Sequence, residues 1–280
     1  MMEILQDKPG LEGIYTVFYI LYHCFNYIHI DFFKENKPIL KKAAHEFINK
    51  LDKEEMKKMP KDFNCIISEL FDKINNTLLK IKTSYKNGEE KKEKEDDFNE
   101  ITLNLSLKEI KSGSFNQRLN GIKYLDNTIE KSKRNKNTIK KIIELLKRNN
   151  LIKELFGPNY HCPIINESKE IIKLLLLENQ LNKEEIQIIW NCTKLGDSEA
   201  KDTILNLLTE LADNLRADHI EMLLKDIKEI TYGIEVSDKE LNLVYKLAMN
   251  LVKNINNNGI NNMNTNIQNN PKNENDKPVD

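Results

Sequence analysis

Apolar residues recur every three or four positions along most of the chain, and this spacing predicts helices. The first predicted helix covers residues 11–34, and the second begins near Pro38, a residue tolerated in a first helical turn. The third begins after Pro60, with Asp62 as a candidate N-cap. Alternating apolar and polar residues, which are typical of half-buried strands, are scarce, and there are only nine glycines and seven prolines in 280 residues. The sequence therefore predicts an all-α fold.

A second group of predicted helices leads into a corner. Apolar residues mark one helix within 115–129 and the next within 139–146, and an apolar stretch then continues to Phe156. Gly157 supplies the permissive backbone that commonly ends a helix, and Pro158 cannot continue one. The chain is therefore predicted to turn at this point.

The segment after the corner is apolar on more than one helical face. The apolar positions after Pro163 are Ile164, Ile165, Ile171, Ile172, Leu174, Leu175, Leu176 and Leu177. A helix exposed to water along one side would carry polar residues there. We therefore predict a buried helix that is covered by the helices before and after it.

Polar residues mark the starts of the last predicted helices. Asn182 can cap a helix with Trp190 on its inner face, and Asp197 can cap the next. Ser237 or Asp238 can cap the last helix. Because the connections are short, consecutive helices should pack antiparallel, in pairs about as long as HEAT or armadillo units. We predict an armadillo/HEAT-like helical solenoid, with an irregular helical bundle as the alternative.

Composition divides the chain into four parts. Residues 89–97 contain no apolar side chain, so this stretch cannot bury surface to offset the entropy of ordering. From Asn254 onward, 12 of 27 residues are Asn, which predicts disorder. The predicted parts are an N-terminal helical segment (1–86), a charged flexible linker (87–99), an armadillo-like helical domain (100–253) and a disordered Asn-rich tail (254–280).

Charge and cysteine content limit which partners and which cellular compartment are expected. A formal net charge of −1 gives no global field that would attract nucleic acid or an acidic membrane. The four cysteines have no CxxC spacing, and no signal peptide is recognised before them. Free thiols in an intracellular compartment are therefore expected, in the cytoplasm or alternatively the nucleus. Residues 13–33 are long and apolar, but two histidines, an asparagine and Asp31 within them favour a buried helix over a membrane span.

No residue pattern predicts a catalytic, metal or cofactor site. Cys162 follows His161, but adjacent side chains on a turn point apart and no Gly-rich loop offers an oxyanion hole. We expect His161 to hydrogen-bond the backbone of the turn and Cys162 to pack as a small apolar residue. His23 and His29 do not share a helical face, so no zinc site is predicted. The sequence has no P-loop, dinucleotide fingerprint or HExxH motif.

One stretch of the chain is locally basic. Residues 131–148 contain eight Lys or Arg and a single acid, Glu144. Such a stretch could contact nucleic-acid phosphates or an acidic protein. It lacks interleaved aromatic residues for base stacking, and nearby helices are acidic. A solvated helix face is therefore the preferred interpretation, and nucleic-acid binding ranks third among the functions considered.

Three motifs between residues 114 and 190 occur together in one known family. Residues 114–125 (SFNQRLNGIKYL) match it at Arg118, Leu119, Gly121 and Leu125. The corner residues Phe156, Gly157, Pro158, Asn159 and His161 match an FGPNxH motif, and a later helix matches at Leu181, Ile186, Ile189 and Trp190. On these motifs, residues 107–253 resemble the non-catalytic armadillo/HEAT-like arm of the large ubiquitin-specific proteases of the fat-facets or X-linked type.

The resemblance implies an armadillo-like fold and a link to deubiquitination. It does not imply peptidase activity for this chain, because none of the four cysteines lies in a Gly-Asn-Thr-Cys-like context. The corner residues and Trp190 are then structural. The expected function is a non-catalytic helical scaffold region of a ubiquitin carboxyl-terminal hydrolase, which binds protein partners such as ubiquitinated substrates or adaptors. A stand-alone helical-repeat adaptor unrelated to ubiquitin is the alternative.

Overall fold

The computed structural model describes Met2, Leu5 and residues 10–84, 96–133, 135–158, 160–195, 197–233 and 237–268. Most of these residues are helical, and no strand occurs among them. The predicted all-α class is therefore confirmed. Within the same ranges, no helix combines the length and the apolar character that crossing a membrane requires.

The structure describes four α-helices before residue 85. They are α1 (Leu11–His23), α2 (Ile30–Lys50), α3 (Lys53–Lys58) and α4 (Phe63–Ser84), and a short 3-10 helix (Phe25–Tyr27) joins α1 to α2. The single helix predicted over residues 11–34 is wrong, because α2 starts anew with the side chain of His29 accepting a hydrogen bond from the Asp31 amide. Pro38 consequently lies inside α2, where the prediction placed a helix start.

Six helices follow among the described residues up to residue 177. They are α5 (Asp96–Ile110), α6 (Phe115–Ser132), α7 (Lys136–Arg148), α8 (Leu151–Leu155), α9 (Cys162–Glu167) and α10 (Lys169–Leu177). Because α5 begins at Asp96, the last part of the predicted linker (87–99) belongs to a helix. Residues 85–95 lie outside the described residues. The segment predicted to be buried after Pro163 is buried at every apolar position except Leu174 and Leu177.

The chain divides into two compact units, residues 1–171 and 172–280. This division differs from the predicted one, which separated residues 1–86 from 100–253. In the first unit α5 packs against α4 and α6, and Ile101 and Leu105 of α5 belong to the core formed by the N-terminal helices. The charged stretch therefore connects two parts of one unit, since apolar residues on both sides of it share a core.

The described part of the second unit contains four further α-helices, three of which have a side-chain N-cap. They are α11 (Lys183–Leu195), α12 (Ser198–Leu211), α13 (Ala217–Gly233) and α14 (Asp238–Gln268). Asn182 and Glu185 form a capping box, because each side chain accepts a hydrogen bond from the other's backbone amide, at 2.8 and 2.9 Å. Asp197 caps α12 through the Ala200 amide at 2.9 Å, and Ser237 accepts from Glu240 at 3.2 Å. The predicted caps are confirmed.

The Asn-rich segment is helical in its first part. The tail was predicted to be disordered over 254–280, but α14 continues to Gln268. Asn254 is only 3% exposed, and its amide Nδ2 donates to the carbonyl oxygens of Ala212 (2.6 Å) and Leu215 (3.1 Å). Composition missed this role because it counts Asn as polar without showing that the amide satisfies two buried carbonyls. Residues 269–280 lie outside the described residues.

Candidate functional site

The predicted corner lies in the first unit and follows two helices. α7 ends at Arg148, and Asn150 adopts the left-handed conformation (φ 50°) just before α8. The short helix α8 then ends with Phe156 as its C-cap. The apolar stretch that leads into the corner is therefore two helices, because the backbone at Asn150 interrupts the helical path.

Gly157 is required at the corner for a reason other than the predicted one. Its backbone is outside the left-handed region, so conformational freedom is not the cause. A Cβ atom at this position would lie 2.4 Å from the carbonyl oxygen of Lys153, which is closer than real Cβ contacts come. Glycine therefore allows the chain to pass close to the last turn of α8. Asn159 of the predicted motif lies outside the described residues.

The remaining residues of the predicted site fall in different places. His161 is exposed and makes no side-chain capping bond to α9; its ring packs edge-on against Phe115, with ring centroids 5.4 Å apart. Cys162 is half-buried at the start of α9. Trp190 is fully buried within the second unit, so its role there is packing.

A cavity of about 290 Å³ lies at the corner, within the first unit. We call it the corner cavity and define it by four cationic residues in its lining, Lys53, Lys111, Arg118 and Lys153. One acid, Glu154, also lines it, together with Phe115 and His161. The lining comes from α3, the end of α5, the first turn of α6, α8 and the corner itself. The cavity therefore combines an excess of positive charge with an aromatic wall.

Arg118 is the buried cation of the corner cavity. The residue is 5% exposed, and its Nη2 donates to the backbone carbonyl oxygen of Glu154 at 3.0 Å. Burial lowers the pKa of the Arg118 guanidinium, and the nearby Glu154 carboxylate acts in the opposite direction. An arginine in a protein stays protonated even so. Folding therefore fixes a positive charge beside the cavity and orients it against α8.

Lys111 joins the end of α5 to the junction between α7 and α8. Its Nζ donates to Asn149 Oδ1 at 2.9 Å, and Asn149 Nδ2 donates to the Leu145 carbonyl oxygen at 2.8 Å. The lysine is therefore held in place at one side of the cavity. Lys53 and Lys153 are exposed, so they extend the positive charge to the surface.

No described residue of the predicted basic stretch, residues 131–148, lines this cavity. Lys131 forms an ion pair with Asp72 at 2.7 Å, and Lys133 pairs with Glu130. Further along, Lys136 and Lys140 are exposed on α7, whose apolar side chains are buried. Over residues 136–148 the stretch is thus an amphipathic helix whose basic side chains are exposed.

The fold and the corner together define a class of protein. Short helices follow one another with brief connections and pack on their neighbours within each unit, as in armadillo-like helical repeats. The ARM-repeat family model of UBP24, USP9X and USP9Y matches residues 96–269. The chain therefore belongs to this family, and the predicted resemblance and helical-solenoid class are confirmed.

Curated relatives are similar to this chain over limited stretches. Ubiquitin carboxyl-terminal hydrolase puf of Drosophila melanogaster is 35% identical over 75 residues, which cover 27% of this chain and 2% of the fly protein. Ubiquitin carboxyl-terminal hydrolase 34 of Mus musculus is 25% identical over 148 residues, which cover 49% of this chain and 4% of the mouse protein. The chain thus spans a small part of each relative's length. No solved structure matches it.

Proposed function

We propose that this chain is a non-catalytic helical scaffold region in deubiquitination, and that it binds protein partners. Membership of the ARM-repeat family of UBP24, USP9X and USP9Y supports this role over an adaptor unrelated to ubiquitin. The proposal places the chain in a reducing intracellular compartment, the cytoplasm or nucleus. The free thiols of Cys24, Cys65, Cys162 and Cys192 support that location.

The observation that supports partner binding is an apolar stripe on α14. Five large side chains spaced three or four residues apart are between 43% and 63% exposed on this helix: Leu241, Tyr245, Met249, Val252 and Ile255. We call this set the α14 stripe. A different face of the same helix carries Val244, Leu247 and Leu251, which are buried in the second unit. The helix α14 therefore has two apolar faces, of which one is covered.

An exposed apolar stripe of this length favours a helical partner. Surface helices of folded proteins usually present a polar face to water, because an exposed apolar face promotes association. Apolar residues spaced at three and four along one helix are suited to contact an amphipathic helix of another protein. The α14 stripe is therefore a candidate surface for a partner helix.

We expect the double substitution Tyr245→Lys/Met249→Lys to reduce partner capture at least tenfold, because the added charges would have to be desolvated against an apolar partner. The measurement is quantitative mass spectrometry of proteins that bind the purified full chain from native lysate, with ubiquitin-pathway proteins expected among them. Asn166→Lys/Asn206→Lys, at exposed positions of α9 and α12, is the matched control, because it adds the same two positive charges.

Equal capture by the two double variants would contradict the role of the α14 stripe. Light scattering of the purified chain provides a second outcome. That outcome is a dimer of the chain that is lost in the Tyr245→Lys/Met249→Lys variant and kept in the control variant. Such a result would assign the stripe to contacts with a second copy of the chain and overturn its assignment to a partner helix.

We expect no turnover of a ubiquitin C-terminal fluorogenic substrate by the purified chain. Attack by cysteine requires a thiolate, and burial raises the pKa of the Cys65 thiol and raises that of Cys192 to about 11. His161, the neighbour of Cys162, has its ring packed against Phe115. Cleavage that is abolished by a thiol-alkylating reagent would show that the region is catalytic.

A further inference from the structure

We propose that the corner cavity binds an acidic side chain from a partner protein. The inference rests on the proposed function and deepens it, because it names a second binding surface and the chemistry of its ligand. The ligand is a peptide segment with an Asp or Glu that enters the cavity and an apolar neighbour that packs against the aromatic wall.

The charge of the cavity selects an anion. Among the described residues, Lys53, Lys111, Arg118 and Lys153 line it, against the single carboxylate of Glu154. The chain as a whole has a formal charge of −1, so this local excess is not a consequence of general basicity. Low-dielectric walls concentrate such a field inside a cavity, which raises the local concentration of anionic groups.

Arg118 makes the cavity more specific than a surface group of lysines. A planar guanidinium matches the two oxygens of a carboxylate, and its orientation decides whether both can be reached. The Glu154 carbonyl oxygen, 3.0 Å from Nη2, fixes this orientation. Because Arg118 is largely shielded from water, an ion pair made there would be weakened less by salt than one at the surface.

The size and the walls of the cavity favour a peptide side chain. A volume of about 290 Å³ lies near the lower end of the range for small-molecule pockets. Phe115 and His161 provide an aromatic wall that an apolar neighbour of the acid can contact. Lys53 and Lys153 are exposed at the rim, so the rest of the peptide can continue over the surface.

The test is a selection of random peptides by mRNA display on the full chain. We expect enrichment of sequences with an Asp or Glu next to an apolar residue, and loss of binding when that acid is replaced by its amide. In fluorescence anisotropy with the synthetic peptides, Lys53→Glu/Lys153→Glu should weaken binding at least tenfold. Both lysines are exposed, so this variant should fold. Lys136→Glu/Lys140→Glu, on the exposed face of α7, is the control with the same change of charge.

Three outcomes would overturn the proposal. The first is enrichment of peptides that contain no acid, and the second is equal weakening of peptide binding by the two double variants. The third is that no peptide is selected, while inorganic phosphate binds and its binding depends on Lys53 and Lys153. Failure of this proposal is distinct from failure of the proposed function. Partner capture that depends on the α14 stripe but not on these two lysines would leave the scaffold role intact and overturn only the cavity assignment.

Discussion

Gly121→Ala should lower the free energy of unfolding by about 2 kcal/mol, even though alanine favours helices more than glycine does. A Cβ atom at Gly121 of α6 would lie 2.6 Å from the carbonyl oxygen of Ser106 and 2.9 Å from the amide nitrogen of Ile110. Both contacts are backbone atoms of α5, so the clash can be relieved only if the two helices move apart. We estimate an overpacking cost of about 3 kcal/mol, offset by about 1 kcal/mol of helix propensity.

Urea unfolding followed by circular dichroism measures this effect, because it reports on helices throughout the chain. Gly113→Ala is the matched control, since Gly113 is near the same helices and a Cβ there would meet nothing within 4 Å. The control should be unchanged or more stable by less than about 1 kcal/mol. If both variants unfold at the same urea concentration, the close approach of α5 and α6 is not what Gly121 provides.

The existence of the helices could be predicted from the sequence because their signals are local. Apolar spacing of three and four positions reflects which side of a helix is buried, and this pattern is contained in a short window. Caps are similarly local: Asn182, Asp197 and Ser237 bond to amides only a few residues away. For this reason the second unit was predicted closely up to residue 253.

Some boundaries could not be predicted because they depend on less common contacts. His29 is an unusual N-cap, so the sequence did not indicate that α2 starts beside it. The continuation of α14 depends on Asn254, which is buried by packing against residues some 40 positions away. The apolar pattern predicted a continuous helix in the first case, and the Asn-rich composition predicted a disordered tail in the second.

The corner cavity could not be predicted because its charges are distant in sequence. Lys53, Lys111, Arg118 and Lys153 come from four different segments, and each by itself resembles an ordinary solvated cation. Of these four, only Arg118 belongs to the SFNQRLNGIKYL motif (residues 114–125), together with Gly121 one turn further along α6. The structure explains this pair: Gly121 allows α6 to approach α5, and Arg118 reaches the backbone of α8.

The second large effect is expected at Glu109 of α5, whose burial makes stability depend on pH. The residue is 1% exposed, and burial raises the pKa of its carboxyl group from 4.5 to about 8. Asn64 Nδ2 donates to this carboxyl group and lowers its pKa, but the effect of burial is larger. Asn64 is itself held by Ser68, whose Oγ donates to Asn64 Oδ1 at 2.9 Å.

The direction of the pH dependence follows from proton binding. Between pH 4.5 and about 8 the folded state holds a proton on Glu109 that the unfolded state has released. Stability should therefore fall as pH rises through this window, and the contribution of Glu109 is fully present only below pH 4.5. From pH 4.5 to pH 7 the loss amounts to about 3 kcal/mol.

Glu109→Gln should remove this dependence, because glutamine has the shape of the protonated acid and still offers Asn64 an acceptor without ionising. The free energy of unfolding of Glu109→Gln, minus that of the wild-type chain, should increase by about 3 kcal/mol between pH 4.5 and pH 7. Urea unfolding at a series of pH values measures the difference, and Glu144→Gln, at an exposed position of α7, is the control. Wild-type and Glu109→Gln curves that run parallel across the window would mean that the carboxyl group is ionised in the folded chain. Its burial would then have to be compensated by an interaction stronger than the hydrogen bond from Asn64.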